Sequence, residues 1–256
     1  ILLKESFPVS GSDSHASELT DHLTRLGAQI HIGQKASNIP ADCEVVVYTA
    51  AIHPDNPEFV AAKERGIPML SRAELLGQLM RNYKKAIAVS ILLAADADPT
   101  ISVGGILPAI GGNIRVGGSE TFLTEACEYT NSFLHFFPTI GIILNIEEDH
   151  MDFFKDLADI RHSFHRFAGL LPENGLLIIN SDIENYQEIT DGLACRVVTF
   201  GSTAEADYHA EHVTYDESAH ATFRVIKHGK PGQEYHLNVP GGHNVLNALA
   251  AIALAD

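Results

Sequence analysis

The sequence predicts an α/β protein with two domains, and three features of its 256 residues support this class. Short apolar runs alternate with amphipathic segments over the first 83 residues, as in the βα units of a doubly wound parallel sheet. The apolar run at residues 140–144 is typical of a strand that is buried on both faces. Between residues 206 and 239, alternating polar and apolar residues predict a small antiparallel layer.

Composition limits the classes of function. The formal net charge of −16 argues against non-specific binding to nucleic acid, because phosphates require a basic surface. Cys43, Cys127 and Cys195 are odd in number and widely spaced, which indicates neither a disulfide framework nor a zinc motif and fits a reducing cytoplasm. No apolar run approaches the roughly 20 residues of a membrane span. We therefore expect a cytoplasmic protein without a nucleic-acid partner, and no motif specifies its oligomeric state.

Residues 1–83 predict a Rossmann-like domain. Ser14 is expected to cap the first helix, and Ser71 with Glu74 fits a capping box at the start of the third. Asp13 ends the first strand, as the ribose-binding residue does in nucleotide-binding folds, although the glycine-rich turn that precedes such a residue is not in the sequence. The expected elements are strands at 8–13, 29–32, 44–48 and 67–70, and helices at 16–26, 56–65 and 71–81.

A basic hinge at residues 81–85 marks the expected boundary with a second domain, 84–256. The predicted strand 86–90 joins the helix-like segment 91–95 with no connecting residues, whereas a βα loop usually has about 2–6. We therefore expect that a loop is missing after Ser90, at the place where a phosphate-binding P-loop lies between a strand and a helix N-terminus. The helical character of both chain ends also predicts an earlier strand and a further C-terminal region.

Acidic residues follow two predicted strands of the second domain. The strand at 140–144 ends in a polar turn that contains Asp149, His150 and Asp152, and the strand that begins at Phe122 ends at Glu125. Ligands bind at the carboxyl ends of parallel strands, and carboxylates beside an imidazole suit a divalent cation. Two alternatives stay open: Asp149 or Asp152 caps the next helix, and Glu125 is a structural carboxylate.

The remaining segments predict elements without a strong functional signal. The glycines between residues 102 and 118 either allow close approach of a ligand or shape tight turns, and turns are favoured. Apolar spacing at residues 157–171 predicts an amphipathic helix whose aromatic side chains belong to the core. Further strands are expected at 176–180 and 196–200, and an alanine-rich helix at 245–254.

Three ordered motifs, at residues 125–129, 145–152 and 242–251, resemble the signature segments of the Mur ligases. These are ATP-dependent amide-forming enzymes of bacterial peptidoglycan synthesis, and residues 125–134 are most similar to the branch that adds L-alanine to UDP-N-acetylmuramate. The resemblance implies a Rossmann-like UDP-sugar-binding domain at 1–83. It also implies a central P-loop-type mononucleotide-binding α/β domain at 84–256, with the small antiparallel layer.

The resemblance also implies roles for individual residues. Glu125 and His150 match the catalytic residues that hold Mg²⁺ against ATP and the acyl-phosphate intermediate. Asn113 matches a residue near the muramoyl substrate, and Asp13, Thr49 and Ser71 are candidates for binding the UDP-sugar. The candidates for ATP binding are Ser90 at the P-loop and, on the adenine side, His243, Asn244 and Asn247.

The implied activity is ATP-dependent joining of L-alanine to the carboxylate of UDP-N-acetylmuramate. Because the P-loop, the first strand and the third domain of the family are not in this sequence, we expect the chain as written to be inactive and its parent protein active. Three alternatives are considered: a murein-peptide recycling ligase or related amide ligase, a non-catalytic UDP-sugar-binding remnant, and a nicotinamide-dependent dehydrogenase. Nothing after residue 84 favours the dehydrogenase.

Overall fold

The computed structural model describes residues 1–49, 51–82, 85–88, 98–107 and 110–256, with the backbone alone for 85–88. These residues form two compact units, 1–77 and 78–256. Ser90 and the expected helix at 91–95 lie outside the described residues. None of the helices in the described ranges is long and apolar enough to cross a membrane.

The first unit contains two pairs of parallel strands that alternate with helices. Strand β1 pairs with β2, and β3 pairs with β4, both in parallel register. Residues 1–7, expected to be the tail of a helix, form turns instead. The elements are β1 (Ser10–Asp13), α1 (Glu18–Arg25), β2 (Gln29–Ile32), β3 (Val46–Tyr48), α2 (Pro57–Glu64), β4 (Met69–Ser71) and α3 (Arg72–Met80).

Two helix caps of this unit, those of α1 and α3, were predicted from the sequence. The prediction for α3 is confirmed, because Ser71 Oγ accepts a hydrogen bond from Glu74 N at 3.2 Å and Glu74 Oε2 accepts one from Ser71 N at 2.6 Å. The prediction that Ser14 caps α1 is wrong. The cap is Ser17, whose hydroxyl accepts a hydrogen bond from Thr20 N at 3.2 Å. The Ser14 hydroxyl lies 2.9 Å from the ring of His15.

The second unit contains a ten-stranded sheet within the described residues, in the order β14-β13-β12-β11-β10-β9-β5-β8-β6-β7. Strands β12, β11, β10, β9, β5, β8 and β6 each pair in parallel with the next strand in this series. At one end of the sheet, β13 pairs antiparallel with both β12 and β14, and at the other end β7 pairs antiparallel with β6. The strands are β5 (Lys85–Ala88), β6 (Thr100–Leu107), β7 (Gly112–Arg115), β8 (Thr121–Thr124), β9 (Ile140–Ile143), β10 (Leu176–Asn180), β11 (Arg196–Gly201), β12 (Tyr208–Tyr215), β13 (His220–Lys227) and β14 (Lys230–Pro240).

The mixed α/β class is therefore confirmed, with the antiparallel strands continuing the same sheet. The glycine-rich segment after residue 102 includes the antiparallel pair β6–β7, as the turn interpretation predicted. The helices of this unit are α4 (Leu157–Ala168), α5 (Gln187–Thr190) and α6 (His243–Ala255), and the four-residue α5 was not predicted. At four residues, α5 is too short to show an amphipathic period in the sequence.

The core of the second unit lies on both sides of the central strands. Ile142 and Ile143 of β9 are buried, as expected of a strand covered on both faces. Phe133 stacks on Phe167 of α4 with ring centroids 4.8 Å apart, and both are buried, so the expectation of an aromatic core is confirmed for Phe167, whereas Phe164 of the same helix is only half-buried. On the other side, α6 packs its apolar residues against β10 to β14.

Candidate functional site

The candidate site lies at the carboxyl ends of β8 and β9. Both strands pair in parallel with β5, which lies between them, so their carboxyl ends are at the same edge of the sheet. The segment after β8 begins with Glu125, and the segment after β9 contains Asp149 and His150. The fold therefore brings together the two acidic segments that the sequence placed far apart.

Three side chains of these segments form a compact group, here called the His150 cluster: Glu128, Asp149 and His150. The Nε2 atom of His150 lies 3.6 Å from Glu128 Oε1, and its Nδ1 atom lies 3.8 Å from Asp149 Oδ1. One ligand atom from each residue lies within 4.8 Å of the others. His150 has a left-handed backbone with φ of 54°, and its N–H donates to Asp149 Oδ1 at 2.7 Å. The turn thus holds the imidazole between two carboxylates.

Tyr129 fixes the orientation of the imidazole. Its ring stacks on His150 with centroids 4.6 Å apart and an interplanar angle of 29°. Its hydroxyl donates a hydrogen bond to Asp152 Oδ2 at 2.7 Å, and this bond raises the pKa of Tyr129 above its usual value. The β8 and β9 segments are therefore joined through Tyr129 as well as through Glu128.

A small cavity of about 140 Å³ that opens to solvent lies beside the His150 cluster. The end of β9 is held in place on one side by Asn180, whose amide donates to Leu144 O at 3.0 Å. A ligand in this space would therefore contact residues of the cluster. The lining residues are Glu128, Asn145, Ile146, Glu147, Asp149, Ile160 and Phe164.

Glu125 is held separately, by β6. Its Oε2 accepts a hydrogen bond from Gly104 N at 2.7 Å, and a Cβ at position 104 would lie 3.1 Å from that oxygen. The close approach therefore depends on glycine at this position. Glu125 is not one of the three residues whose ligand atoms cluster around His150. The structure thus places the two predicted metal ligands, Glu125 and His150, at the ends of β8 and β9, and it adds Glu128 and Asp149 next to the imidazole.

The donor set of the site fits a divalent cation. Carboxylate oxygens and an imidazole nitrogen are all suitable ligands, and Mg²⁺ is usually held by one or two carboxylates together with water and phosphate oxygens.

The alternative that Asp149 or Asp152 caps the next helix is wrong. The cap of α4 is Asp156, which accepts a hydrogen bond from Asp159 N at 2.9 Å, because the turn continues past Phe153 before the helix begins.

The residues predicted on the adenine side share one place, the first turns of α6. The amide of Asn244 donates to Pro240 O at 2.8 Å, and the amide of Asn247 donates to Asn244 Oδ1 at 3.1 Å. Gly241 has φ of 102°, and a Cβ there would lie 2.8 Å from the ring of His243. The helix start is therefore shaped by a sharp turn and by the two asparagine amides.

The other predicted residues are also at strand ends or edges. In the first unit, Asp13 ends β1, Thr49 directly follows β3 and Ser71 ends β4; Asp13 and Thr49 are exposed. Ser71 has the structural role of capping α3. In the second unit, Asn113 lies on β7, at one edge of the ten-stranded sheet. These positions leave the proposed substrate contacts as predictions.

Two residues of the site, Glu128 and Tyr129, were not predicted from the sequence. Both lie in the motif that was singled out, but they follow the strand end by several residues. Their approach to His150 depends on a kinked turn in which Thr130 and Asn131 have positive φ angles of 55° and 58°. The one sequence feature that could have pointed to Glu128 is that it is a second carboxylate shortly after Glu125. The turn that brings it to His150 could not be predicted, because positive φ angles at residues other than glycine have no clear sequence pattern.

Comparisons with known proteins agree with this architecture. A family model described as "Mur ligase middle domain" matches residues 106–255, and one described as "Mur ligase family, catalytic domain" matches residues 1–84. The UDP-N-acetylmuramate–L-alanine ligase of Lachnospira eligens is 56% identical over 268 residues, which cover 99% of this chain and 58% of that protein. The chain therefore spans about three fifths of the length of this curated relative.

Solved structures give the same result. The UDP-N-acetylmuramate–alanine ligase of Thermotoga maritima is 28% identical with a TM-score of 0.78, over 99% of this chain and 60% of that one. UDP-N-acetylmuramate:L-alanyl-γ-D-glutamyl-meso-diaminopimelate ligase from Neisseria meningitides shares the fold, with a TM-score of 0.86 at 24% identity over 100% of this chain and 87% of that one. Family models match both residues 1–84 and residues 106–255, and the Lachnospira eligens relative is 56% identical, so the chain belongs to the Mur ligases.

Proposed function

We propose that this chain is part of an ATP-dependent ligase that joins L-alanine to the carboxylate of UDP-N-acetylmuramate in peptidoglycan precursor synthesis. The structural observation that carries the proposal is the His150 cluster, at the carboxyl ends of two parallel strands and beside an open cavity. The choice of amino acid rests on the Lachnospira eligens relative, which is named for that reaction and is 56% identical.

The proposed division of labour follows the two domains, 1–83 and 84–256. The first would bind the UDP-sugar through Asp13, Thr49 and Ser71, and their common position at strand ends supports this role. The second would bind ATP, and Asn113 would lie near the muramoyl group. The proposed ATP-binding residues are Ser90, which lies outside the described residues, and His243, Asn244 and Asn247 at the start of α6.

The proposed reaction has two steps. A carboxylate oxygen of UDP-N-acetylmuramate attacks the γ-phosphorus of ATP, the bond to the bridging oxygen breaks, and ADP leaves with an acyl phosphate formed. The amine of L-alanine then attacks the acyl carbon, the amine loses a proton, and inorganic phosphate leaves as the amide bond forms. The protein contributes mainly positioning and charge stabilisation to such phosphoryl transfer.

Glu125 and His150 are the proposed magnesium-binding residues, and Glu128 and Asp149 are close enough to the imidazole of His150 to support it. The ion would offset negative charge on the transferred phosphoryl group. The chain's own residues hold these ligands in place: Tyr129 stacks on the imidazole of His150, and the backbone N–H of Gly104 binds Glu125. Outer contacts of this kind orient ligand side chains.

The proposed location is the cytoplasm. Cys43, Cys127 and Cys195 form no disulfide with one another. Cysteines outside disulfides are typical of proteins in a reducing compartment, where disulfides are rare. The proposed substrate, ATP, is consistent with such a compartment.

The test is ADP release by the purified full-length protein with ATP and Mg²⁺, with UDP-N-acetylmuramate and L-alanine added together or singly. We expect release only when both are present. Release that requires the murein tripeptide in place of L-alanine would identify a recycling ligase instead. Binding of UDP-N-acetylmuramate with no ADP release under any condition would identify a non-catalytic binding protein.

Peptide mapping across residues 89–92 would show whether a loop containing glycine and lysine follows Ser90.

A further inference from the structure

A second group of imidazole and carboxylate side chains lies on the antiparallel strands, apart from the proposed reaction. It consists of Asp216, His220 and His236, here called the His236 cluster. Within the described ranges, this group and the His150 cluster are the two in which ligand atoms from three residues lie within 4.8 Å of one another. The second group has two imidazoles and one carboxylate, whereas the first has one imidazole and two carboxylates.

The pleat and the register of the strands bring the two histidines together. Along β13, Ala221 and Phe223 are buried in the core that α6 also lines, so His220 and Thr222 face the opposite side of the sheet. Thr222 is directly opposite His236 on β14. His236 therefore lies on the same outer face as His220, with ring centroids 6.2 Å apart.

The turn before β13 supplies the carboxylate. Asp216 Oδ1 accepts hydrogen bonds from Ser218 N at 2.9 Å and from His220 N at 2.8 Å, which fixes the side chain at the turn. Its other oxygen, Oδ2, lies 3.2 Å from His220 Nδ1. Ligand atoms around a tetrahedral zinc ion are separated by roughly 3.3 Å. Asp216 and His220 therefore already have the spacing of two ligands of one ion.

Thr222 orients the second imidazole. Its Oγ1 lies 2.9 Å from His236 Nδ1, so this hydrogen bond leaves Nε2 as the nitrogen that can bind a metal. A hydrogen bond from the non-ligating nitrogen is the usual support of a metal-bound histidine. The side chains of His220 and Asp216 are 29% and 47% exposed, so an ion can reach them and keep water in its remaining coordination positions.

We propose that Asp216, His220 and His236 form a binding site for a borderline transition-metal ion, with Zn²⁺ as the representative. Two imidazoles with one carboxylate and open positions suit such ions, whereas Mg²⁺ prefers oxygen ligands. The bound ion joins the turn at Asp216 to β14, the edge strand of the sheet. It therefore stabilises the antiparallel end of the sheet and takes no part in the proposed ligase reaction.

The test is calorimetric titration of the full-length protein with Zn²⁺ in the presence of excess Mg²⁺, which occupies the oxygen-rich His150 cluster. His220→Ala and His236→Ala should each lower the affinity of one zinc site by at least about tenfold. His212→Ala is the matched control, because His212 is an exposed histidine on neighbouring β12 that lies outside the cluster. The control should bind Zn²⁺ as the unmodified protein does. Thr222→Val, which keeps all three ligands, should weaken the site by about tenfold.

Zinc binding of the same stoichiometry and affinity in His220→Ala, His236→Ala and the unmodified protein would overturn the proposal and assign the zinc to other groups, such as the exposed thiol of Cys127. Circular dichroism of the metal-free variants checks their folding. If either alanine variant is misfolded, Thr222→Val decides the question, with unchanged affinity counting against the site. Because the readout is zinc affinity, the outcome is independent of whether the ligase reaction is found.

Discussion

The His150 cluster and the His236 cluster combine the same two kinds of side chain, but the fold assembles them differently. In the first, Asp149 and His150 are neighbours in one turn, and the partner segment follows a strand of the same parallel sheet. In the second, the members come from a turn and two antiparallel strands. The first therefore depends on where strands end, and the second depends on how two strands are aligned.

This difference determines how each cluster responds to change. The His150 cluster depends on the carboxyl ends of β8 and β9, which the parallel pairing of both strands with β5 brings to one edge of the sheet. The His236 cluster depends on strand register, since a slip by one residue would turn His220 towards the core. The pairing of β13 with β14 already contains an irregularity between His220 and Thr222, which sets the position of His220 relative to His236.

The largest expected effect separates the functions of the two clusters. His150→Ala should lower ATP-dependent ADP release by at least about 100-fold, because it removes a proposed ligand of the ion that stabilises the transferred phosphoryl group. His236→Ala should leave ADP release unchanged while it lowers zinc affinity. The measurement is the initial rate with saturating substrates. Equal losses of activity in both variants would mean that the two clusters are not functionally separate.

The next prediction distinguishes the carboxylates at the end of β8. Glu125→Gln should lower ADP release by about tenfold, because we propose that this residue binds the ion directly and the glutamine amide oxygen is a weaker ligand than the carboxylate. Glu128→Gln should raise the Mg²⁺ concentration for half-maximal rate by about tenfold, because Glu128 lies 3.6 Å from the imidazole and supports it. The measurement is the rate as a function of Mg²⁺ concentration. The reverse order of effects would make Glu128 the direct ligand.

A backbone position on β6 holds Glu125 in place. Gly104→Ala should lower the rate severalfold, because the new Cβ would lie 3.1 Å from Glu125 Oε2 and displace the carboxylate. Gly105→Ala is the matched control, since a Cβ at that position meets nothing within 4 Å. The rate of ADP release is measured for both variants, and a thermal melt of each checks that it is folded. A similar loss of rate in both variants would indicate a general effect on β6.

The smallest expected effect concerns Asp207, directly before β12, and His228, directly after β13, whose Oδ1 and Nδ1 atoms are 3.1 Å apart. Burial raises the pKa of Asp207, but hydrogen bonds from Thr199 and His228 prevail and hold it below its usual value. A lowered pKa in the folded state stabilises the protein above the ordinary carboxyl pKa, and this contribution is lost as the pH falls through the lowered value. Asp207→Asn should therefore lower the free energy of unfolding near neutral pH by no more than about 1 kcal/mol.

The measurement for Asp207→Asn is urea unfolding of the variant and the unmodified protein at neutral and at acidic pH. The difference between the two proteins should shrink as the pH falls, because protonated Asp207 no longer gains from its hydrogen-bond donors. A difference that stays constant with pH would assign the effect to packing. The conservative comparison is Thr199→Val, which removes the hydroxyl that donates to Asp207 Oδ2 at 3.0 Å.

Much of the fold could be predicted because the signals are local. The buried strands β9 and β10 follow from apolar runs, and the cap of α3 follows from the spacing of Ser71 and Glu74. The predicted cap of α1 was wrong because Ser14 and Ser17 are both good capping residues. Which of the two serines caps the helix depends on where the preceding turn ends, and in the structure it is Ser17. The candidate site was located from the polar residues after β9, and the roles of its individual residues stay predictions.

By itself, the sequence determined the α/β class, the strands that are buried, the place of the polar turn around His150 and the motifs shared with the Mur ligases. Only the tertiary structure decided that Glu128 and Tyr129 contact His150, and that Asp216, His220 and His236 converge. The physical reason is that apolar periodicity and capping act between residues a few positions apart. Contacts between distant segments depend on strand register and on left-handed turns at residues other than glycine, which no short pattern specifies.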